Sequence, residues 1–170
     1  MFGASYESIK DQFWRQLSVE KPINAAREFM LRTGMWGGDS ISSMHDVAER
    51  GVLGAVNDLC DATGLGCKLD LDTWVFDPSI ATFMMRHFPD PLAIWTASGQ
   101  GAVIMGCRHN LTDTLLEELE RYGVKSCKIG SMTGRGSNRV IEIGKKAQPF
   151  PTEIKDPFWP AFTKVLNNRS

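Results

Sequence analysis

The sequence predicts one domain of mixed α/β class, in which helices pack on a small mixed sheet. Three observations predict it. Apolar residues recur at helical spacing in several segments, short alternating or apolar runs typical of strands lie between them, and no internal repeat or low-complexity tract is visible. The 170 residues suit a single domain, with residues 1–16 interpreted as a helical N-terminal extension and residues 145–170 as a helical C-terminal tail.

The first half of the chain predicts helices and one strand. The first thirty-odd residues follow a helical pattern, with Pro22 suited to a first helical turn. A glycine-rich loop over residues 34–39 ends this pattern. The next helix covers Glu49–Thr63, and the alternating segment Gly66–Asp72 after it predicts a half-buried strand. Asp77–Pro78 is a good cap and first-turn pair for a further helix.

The second half predicts strands separated by helices. The short apolar run at residues 102–107 indicates a strand, and the leucine-rich segment 110–123 gives the clearest helical pattern of the chain. Strands are predicted at residues 126–132 and 139–143, joined as a hairpin by the turn between them. A proline-rich joint then precedes a last helix at residues 158–166.

Composition narrows the classes of partner and compartment. Nineteen Lys plus Arg against twenty Asp plus Glu leave a net charge of −1, which gives no electrostatic reason to expect a nucleic acid or an anionic membrane as partner. No run approaches the roughly 20 apolar residues that span a bilayer. The four cysteines form no Cys-x-x-Cys pair and the three histidines are not at zinc spacing beside them. We therefore expect reduced thiols in a cytoplasmic protein.

The first candidate site is the polar segment that leads through Arg50 and Gly51 into a helix. Free N–H groups at a helix N-terminus can hold a phosphate, and Arg50 could add a charge-assisted contact. Asp46 could bind a metal ion or a substrate hydroxyl, and His45 could donate a hydrogen bond. The alternative is a loop in which Asp46 caps the helix and His45 packs beneath it.

The second candidate site follows Trp95. Ser98 and Gln100 could hydrogen-bond a ligand, while Gly99 and Gly101 let the backbone approach it closely. The alternative is a turn into a buried strand, with glycines chosen for their dihedral angles. Both interpretations stay open at this point.

Other basic side chains are interpreted as structural or exposed. Arg135 and Arg139 flank the predicted hairpin turn and are expected to be solvated. His87 and His109 have no evident partner that would make either of them a base. No catalytic residue is assigned.

Five segments, taken in order, resemble the C-terminal domain of AIR synthase-related proteins, the superfamily of aminoimidazole ribonucleotide synthase and the hydrogenase-maturation HypE-like proteins. The resemblance extends from about Leu17 to Ile143. The segments are Met44–Asn57 with its His45-Asp46-Val47 and Leu53-Gly-Ala-Val-Asn57, Ala62–Asp72, Thr96–Ile104, the leucine-rich helix and Lys128–Gly134. The implied fold is an α/β domain that is partly ferredoxin-like.

The resemblance also implies a role with ATP and Mg²⁺. In such enzymes an N-terminal lobe supplies much of the ATP and magnesium site, and the C-terminal lobe contributes the loop that matches residues 45–51 and the turn that matches residues 98–101. Three departures qualify this expectation. The ATP lobe is not in the sequence, Arg50 stands where relatives carry a glycine, and the tail lacks the terminal cysteine of hydrogenase-maturation members.

The leading hypothesis is therefore a lobe that binds a nucleotide or a phosphorylated small molecule. We expect it to be inactive in phosphoryl transfer unless an ATP lobe, covalent or separate, completes it. The alternative is a stand-alone binding or regulatory module that kept the fold without catalysis. A small enzyme using only His45, Asp46 and Arg50 ranks last. A homodimer is plausible, since apolar residues in the N-terminal helices could cover an open surface.

Overall fold

The structure, a computed structural model, describes residues 17–73, 78–97 and 99–167, and the chain divides into two compact units. The first unit comprises Met1–Asp46 and Gln100–Val124, and the second comprises Val47–Gly99 and Lys125–Ser170. The single domain with terminal extensions stays a prediction. Within the described ranges, no helix has the length and apolar character needed to cross a membrane.

Helices and strands alternate along much of the chain. The helices are α1 (Glu20–Thr33), α2 (Gly51–Thr63), α3 (Pro78–His87), α4 (Ala93–Thr96), α5 (Thr112–Arg121) and α6 (Phe158–Asn167). The strands are β1 (Ile41–Val47), β2 (Leu65–Asp70), β3 (Ala102–Cys107), β4 (Gly130–Arg135), β5 (Arg139–Ile143) and β6 (Lys146–Pro149). Short 3₁₀ turns cover Gly37–Asp39 and His109–Leu111. The mixed α/β class predicted from the sequence is confirmed. Asp77, the predicted cap of α3, lies outside the described residues.

The first unit is built from α1 and α5 with the two-stranded sheet β1–β3. Its core consists of buried apolar residues from both helices and from β1, namely Ala25, Ala26, Phe29, Ile41, Leu115 and Leu119. The leucine-rich helix is thus confirmed, with Gly123 in the left-handed conformation (φ 68°) just beyond its end. Hydrophobic burial between the two helices stabilises this unit.

A buried carboxylate links α1 and α5. Glu118 is almost fully buried and forms ion pairs with Arg32 of α1 and with Arg121, one turn further along α5. Because a buried charge is costly unless it is paired, these two guanidinium groups are what make Glu118 tolerable there.

The second unit is built on a four-stranded sheet of order β4–β2–β5–β6. β2 pairs antiparallel with β4 and parallel with β5, and β5 pairs antiparallel with β6. Helix α2 packs on β2 and α4. The core between helix and sheet contains Leu53, Val56, Cys60, Cys67, Leu69 and Ile141. The alternation predicted for residues 66–72 is confirmed, with β2 itself covering Leu65–Asp70.

The predicted hairpin between residues 126–132 and 139–143 is wrong, because β2 lies between β4 and β5. The connection crosses the end of β2, where the Gly136 N–H donates to the Gly64 carbonyl at 3.0 Å. Gly66 makes this crossing possible. A Cβ at that position would lie 2.5 Å from the Ser137 carbonyl oxygen and 2.8 Å from the Asn138 carbonyl oxygen.

Two strands were not predicted. The segment containing His45 and Asp46 was predicted to be a loop, but it forms most of β1. Its alternation is hidden in the sequence because Ser43 and His45, both half-buried, occupy one face. Gly106 of the neighbouring strand accommodates the serines, since a Cβ there would lie 2.4 Å from the Ser43 hydroxyl. Strand β6 falls in the segment interpreted as a proline-rich joint.

Candidate functional site

The predicted site residues divide between the two units. His45, Asp46, Gln100 and Gly101 belong to the first unit, and Arg50, Gly51 and Gly99 belong to the second. Ser98 lies outside the described residues. Each group is therefore described within its own unit.

His45 and Asp46 lie next to each other near the end of β1. The His45 Nδ1 is 2.6 Å from the Asp46 main-chain oxygen and 3.6 Å from its carboxylate Oδ1. Since a carbonyl oxygen only accepts, Nδ1 carries the hydrogen in this contact, and Nε2 is the acceptor when the ring is neutral. The Asp46 side chain is 69% exposed. This arrangement orients His45 toward its own strand.

Gln100 and Gly101 form the turn that enters β3. Gln100 is exposed, and Gly101 has φ 90°, a backbone conformation that favours glycine. The positive φ of Gly101 agrees with the interpretation that this glycine is needed for its dihedral angles.

Arg50 precedes α2 in a left-handed conformation (φ 65°), and its side chain extends along the helix toward Asp58. The Nη2 donates to both carboxylate oxygens of Asp58, at 3.0 and 2.9 Å. Gly54 lies under this path, because a Cβ there would lie 2.6 Å from the Arg50 Cβ. Arg, Gly and Asp at spacing i, i+4, i+8 is the sequence signal that could have predicted this ion pair.

A carboxylate already occupies the N-terminal end of α2. The Arg50 N–H donates to Asp156 Oδ2 at 3.1 Å, while Asp156 Oδ1 accepts the Phe158 N–H of α6 at 2.9 Å. Asp156 thus serves two helix N-termini at once, one in its own segment and one 106 residues away along the chain. Negative charge is favoured at both places by the helix dipole. Sequence reasoning missed Asp156, although Asp156-Pro157 before an apolar run is a recognisable cap signal.

Gly51 and Gly99 are explained by close packing. Gly51 has φ 59°, and a Cβ there would lie 2.5 Å from the Ala97 carbonyl oxygen and 2.6 Å from that of Trp95. A Cβ on Gly99 would lie 2.7 Å from a Val47 methyl carbon, and its N–H is 3.3 Å from the Ala48 oxygen. Both glycines therefore let chain segments of the second unit approach each other.

The sequence predicted that Arg139 is solvated, but the structure shows its side chain paired with two residues of α2. Its Nη1 donates to Asn57 Oδ1 at 2.7 Å and its Nη2 to Asp61 Oδ1 at 2.6 Å, and its side chain is 28% exposed. The hydrogen bond with Asp61 raises the pKa of Arg139 above its usual value. Arg139 and Asn57 also line an open groove of about 830 Å³ beside Gln148 and Phe150.

The cysteines carry no reactive thiolate in the core. All four are free thiols, as predicted. Burial raises the pKa of Cys67 to about 12, and the neighbouring Cys60 thiol acts in the same direction. A thiol with such a pKa is neutral at physiological pH and is therefore a poor nucleophile there.

No cluster of three or more His, Cys, Asp or Glu that could hold a metal ion occurs among the described residues. Asp46 offers a single exposed carboxylate. Mg²⁺ in nucleotide sites is usually held by one or two carboxylates together with phosphate oxygens. The described donor set does not build a Mg²⁺ site by itself.

Helices packed on small mixed sheets place the chain in the mixed α/β class, and the N-terminus of α2 donates an N–H to a carboxylate. Residues 2–143 match the family described as AIR synthase related protein, C-terminal domain. The chain belongs to this family.

Solved structures show the same fold. A HypE–HypF complex matches with a TM-score of 0.63 and 16% identity over 75% of this chain and 40% of that chain. HypE from E. coli matches with a TM-score of 0.61 and 14% identity, over 71% and 37% of the two chains. The hydrogenase maturation protein HypE in complex with ATP matches with a TM-score of 0.58 and 16% identity, over 69% and 37%. The chain thus spans about two-fifths of the HypE structures. No curated protein matches it in sequence.

Proposed function

We propose that this chain is the nucleotide- or phosphate-binding lobe of an AIR synthase-related, ATP-dependent protein. Family membership supports the class, and the ATP complex of a structurally similar HypE supports the ligand. The observation that carries the proposal is the Asp156 carboxylate at the N-terminus of α2, 3.1 Å from the Arg50 nitrogen. A backbone N–H that donates to a carboxylate oxygen at a helix N-terminus can donate equally well to a phosphate oxygen.

The residues of this chain would bind and orient the phosphate rather than transfer it. A phosphate at α2 would take the place of Asp156, and Arg50 would turn from Asp58 toward it. His45, Asp46, Gln100 and Gly101 of the first unit, and Ser98 and Gly99 of the second, remain proposed ligand contacts within their own units. ATP supplies the transferable phosphoryl group, and the proposal assigns the remaining ATP and Mg²⁺ contacts to an ATP lobe, covalent or separate. We propose that this chain is inactive in phosphoryl transfer without that lobe.

A partner protein and a cytoplasmic setting belong to the same proposal. The HypE–HypF complex is an assembly in which a structurally similar protein contacts another protein. Free thiols persist most readily in a reducing compartment. We extend the proposal to a homodimer as one way to complete the site.

A second function is favoured by a specific observation. Both groups expected to bind phosphate are already satisfied within the second unit, Arg50 by Asp58 and the α2 N-terminus by Asp156. Such internal neutralisation suits a non-catalytic binding or regulatory module, in which a phosphate site has become a structural link.

A thermal-shift titration with Mg-ATP, Mg-ADP and inorganic phosphate separates the two. A ligand at 100 times its Kd stabilises the protein by about 2.7 kcal/mol, which raises the midpoint measurably. We expect a shift in the wild type that Arg50→Ala weakens and that Arg86→Ala, which removes an exposed arginine of α3, leaves unchanged. The absence of a shift with every ligand at millimolar concentration contradicts phosphate binding and favours the structural module.

A further inference from the structure

The two edges of the four-stranded sheet differ in the backbone groups that they expose. At the β6 edge, the Phe150 N–H donates to the Arg139 oxygen at 3.0 Å. With the antiparallel register of β5 and β6, this places Ala147 and Pro149 among the residues whose N–H positions face away from the sheet. Pro149 has no N–H, and Pro151 follows it in the same alternation. Prolines therefore close this edge against another strand.

The β4 edge has no such protection. The Asp70 N–H donates to the Ile129 oxygen at 2.8 Å. In the register of β2 and β4, the N–H and C=O groups of Gly130 and Met132 then point away from β2. No proline occurs between residues 126 and 136. In the described ranges of the chain, the sheet ends at β4.

The core face of the sheet is incompletely covered at this edge. Met132 pairs with the buried Cys67, so its side chain lies on the same face as the core. Yet Met132 is 38% exposed, whereas Cys67 is fully buried. A further strand beside β4 would bring an apolar side chain against Met132 and continue the core by one residue.

Charge indicates what kind of strand fits. Lys128 and Arg135 are both exposed and flank the edge, and β4 itself contains no acidic residue. In an antiparallel pairing of two copies centred on Met132, Arg135 of one copy would face Ile129 of the other, next to Lys128. Each end of such a pairing would gather Lys128 and Arg135 from the two copies, which disfavours self-pairing, while acidic residues at the ends of a partner segment would complement this positive charge.

We propose that the outer edge of β4 is a strand-addition site for an extended, acidic segment of another protein. Main-chain hydrogen bonds to Gly130 and Met132 would provide the affinity, and Met132 with the two flanking cations would select the sequence. The site does not depend on nucleotide binding.

The test uses the full chain and a labelled peptide of about eight residues that alternates valine with threonine and carries glutamate at both ends. Fluorescence anisotropy measures its Kd. Met132→Pro removes an outward N–H without touching the ladder to β2, and we expect it to raise the Kd at least about tenfold. Ala147→Pro makes the same change at the β6 edge and is expected to leave the Kd unchanged.

Charge reversal provides a second variant should Met132→Pro fail to fold, as judged by circular dichroism. Arg135→Glu is expected to weaken the glutamate-ended peptide by about tenfold and to strengthen a lysine-ended one. Equal effects of the two proline variants overturn the assignment of the edge. No binding of the acidic peptide at millimolar concentration, or equal binding of both peptides, overturns the acidic partner. A dimer in sedimentation that Met132→Pro dissociates overturns it in favour of a second copy.

Discussion

Asp156 is the residue at which fold stability and the proposed anion site can be tested together. Its carboxylate caps α6 through the Phe158 N–H and also accepts the Arg50 N–H at the start of α2. Loss of an N-cap side chain costs about 1 kcal/mol, within a range of roughly 0.5–2 kcal/mol. The favourable charge at a second helix N-terminus adds about 0.3–1 kcal/mol. We therefore expect Asp156→Ala to lower the free energy of unfolding by about 1–3 kcal/mol.

Asp156→Asn separates the two contributions. Asparagine caps helices about as well as aspartate but has only one acceptor oxygen, so this variant keeps the α6 cap and loses both the charge and the hydrogen bond from the Arg50 N–H. Its loss should be about 0.5–2 kcal/mol, and the charge contribution should shrink in high salt because ions screen the dipole interaction. Urea denaturation in low and high salt measures both variants.

Glu153→Ala is the matched control for these variants. Glu153 lies three residues before Asp156, is largely exposed, and forms an ion pair with the exposed Lys155. Its removal should change stability by less than about 0.5 kcal/mol. If Asp156→Ala costs no more than Glu153→Ala, the carboxylate does not stabilise the two helix N-termini, and the anion site loses its main support.

Three further changes probe packing, a buried charge and a buried thiol. Gly51→Ala forces a left-handed alanine against a backbone carbonyl and should cost about 2 kcal/mol or more by urea denaturation, whereas Gly38→Ala, in open space, should cost under about 0.5 kcal/mol. Glu118→Gln leaves two arginines without their buried carboxylate and should lower the free energy of unfolding by about 2–4 kcal/mol. The same change at the exposed Glu120 should cost almost nothing, and equal losses would show that burial of Glu118 is irrelevant. The raised pKa of Cys67 means that the unfolded thiol loses its proton first as pH rises above 9, so stability should fall between pH 9 and about 12, and Cys67→Ala should remove that part of the pH dependence.

The elements that could be predicted from the sequence carry strong local signals. The pattern of leucines gave helix α5, and Gly64 in its left-handed conformation ends α2 at the predicted residue. The alternation of Cys67 and Leu69 with polar neighbours predicted β2, because one face of that strand is buried. In each case the signal lies within a window of about a dozen residues.

The errors share a different physical origin. Strand order depends on contacts between distant segments, and a turn that suits a hairpin can equally cross the end of a third strand, as the segment before Arg139 does over Gly66. Strand β1 carries Ser43 and His45 on one face and so lacks an apolar alternation. Arg50 contacts two carboxylates. The spacing along the helix could have predicted Asp58, whereas Asp156 is brought to α2 only by the tertiary fold.

The Asp156 contact also sets a limit on how tightly wild-type protein can bind phosphate at α2. A ligand that needs the carboxylate to leave binds only to the fraction of molecules in which it has left, so the observed Kd is raised by the inverse of that fraction. If the Arg50–Asp156 contact is worth about 1.4 kcal/mol, the penalty is about tenfold. Asp156→Ala should therefore bind inorganic phosphate more tightly than the wild type. The gain in binding free energy should not exceed the measured loss in the free energy of unfolding, since that loss includes the α6 cap as well. An affinity gain larger than this limit would mean that Asp156 opposes phosphate through direct charge repulsion. If stability falls clearly but the affinity for phosphate does not change, the phosphate binds away from the α2 N-terminus.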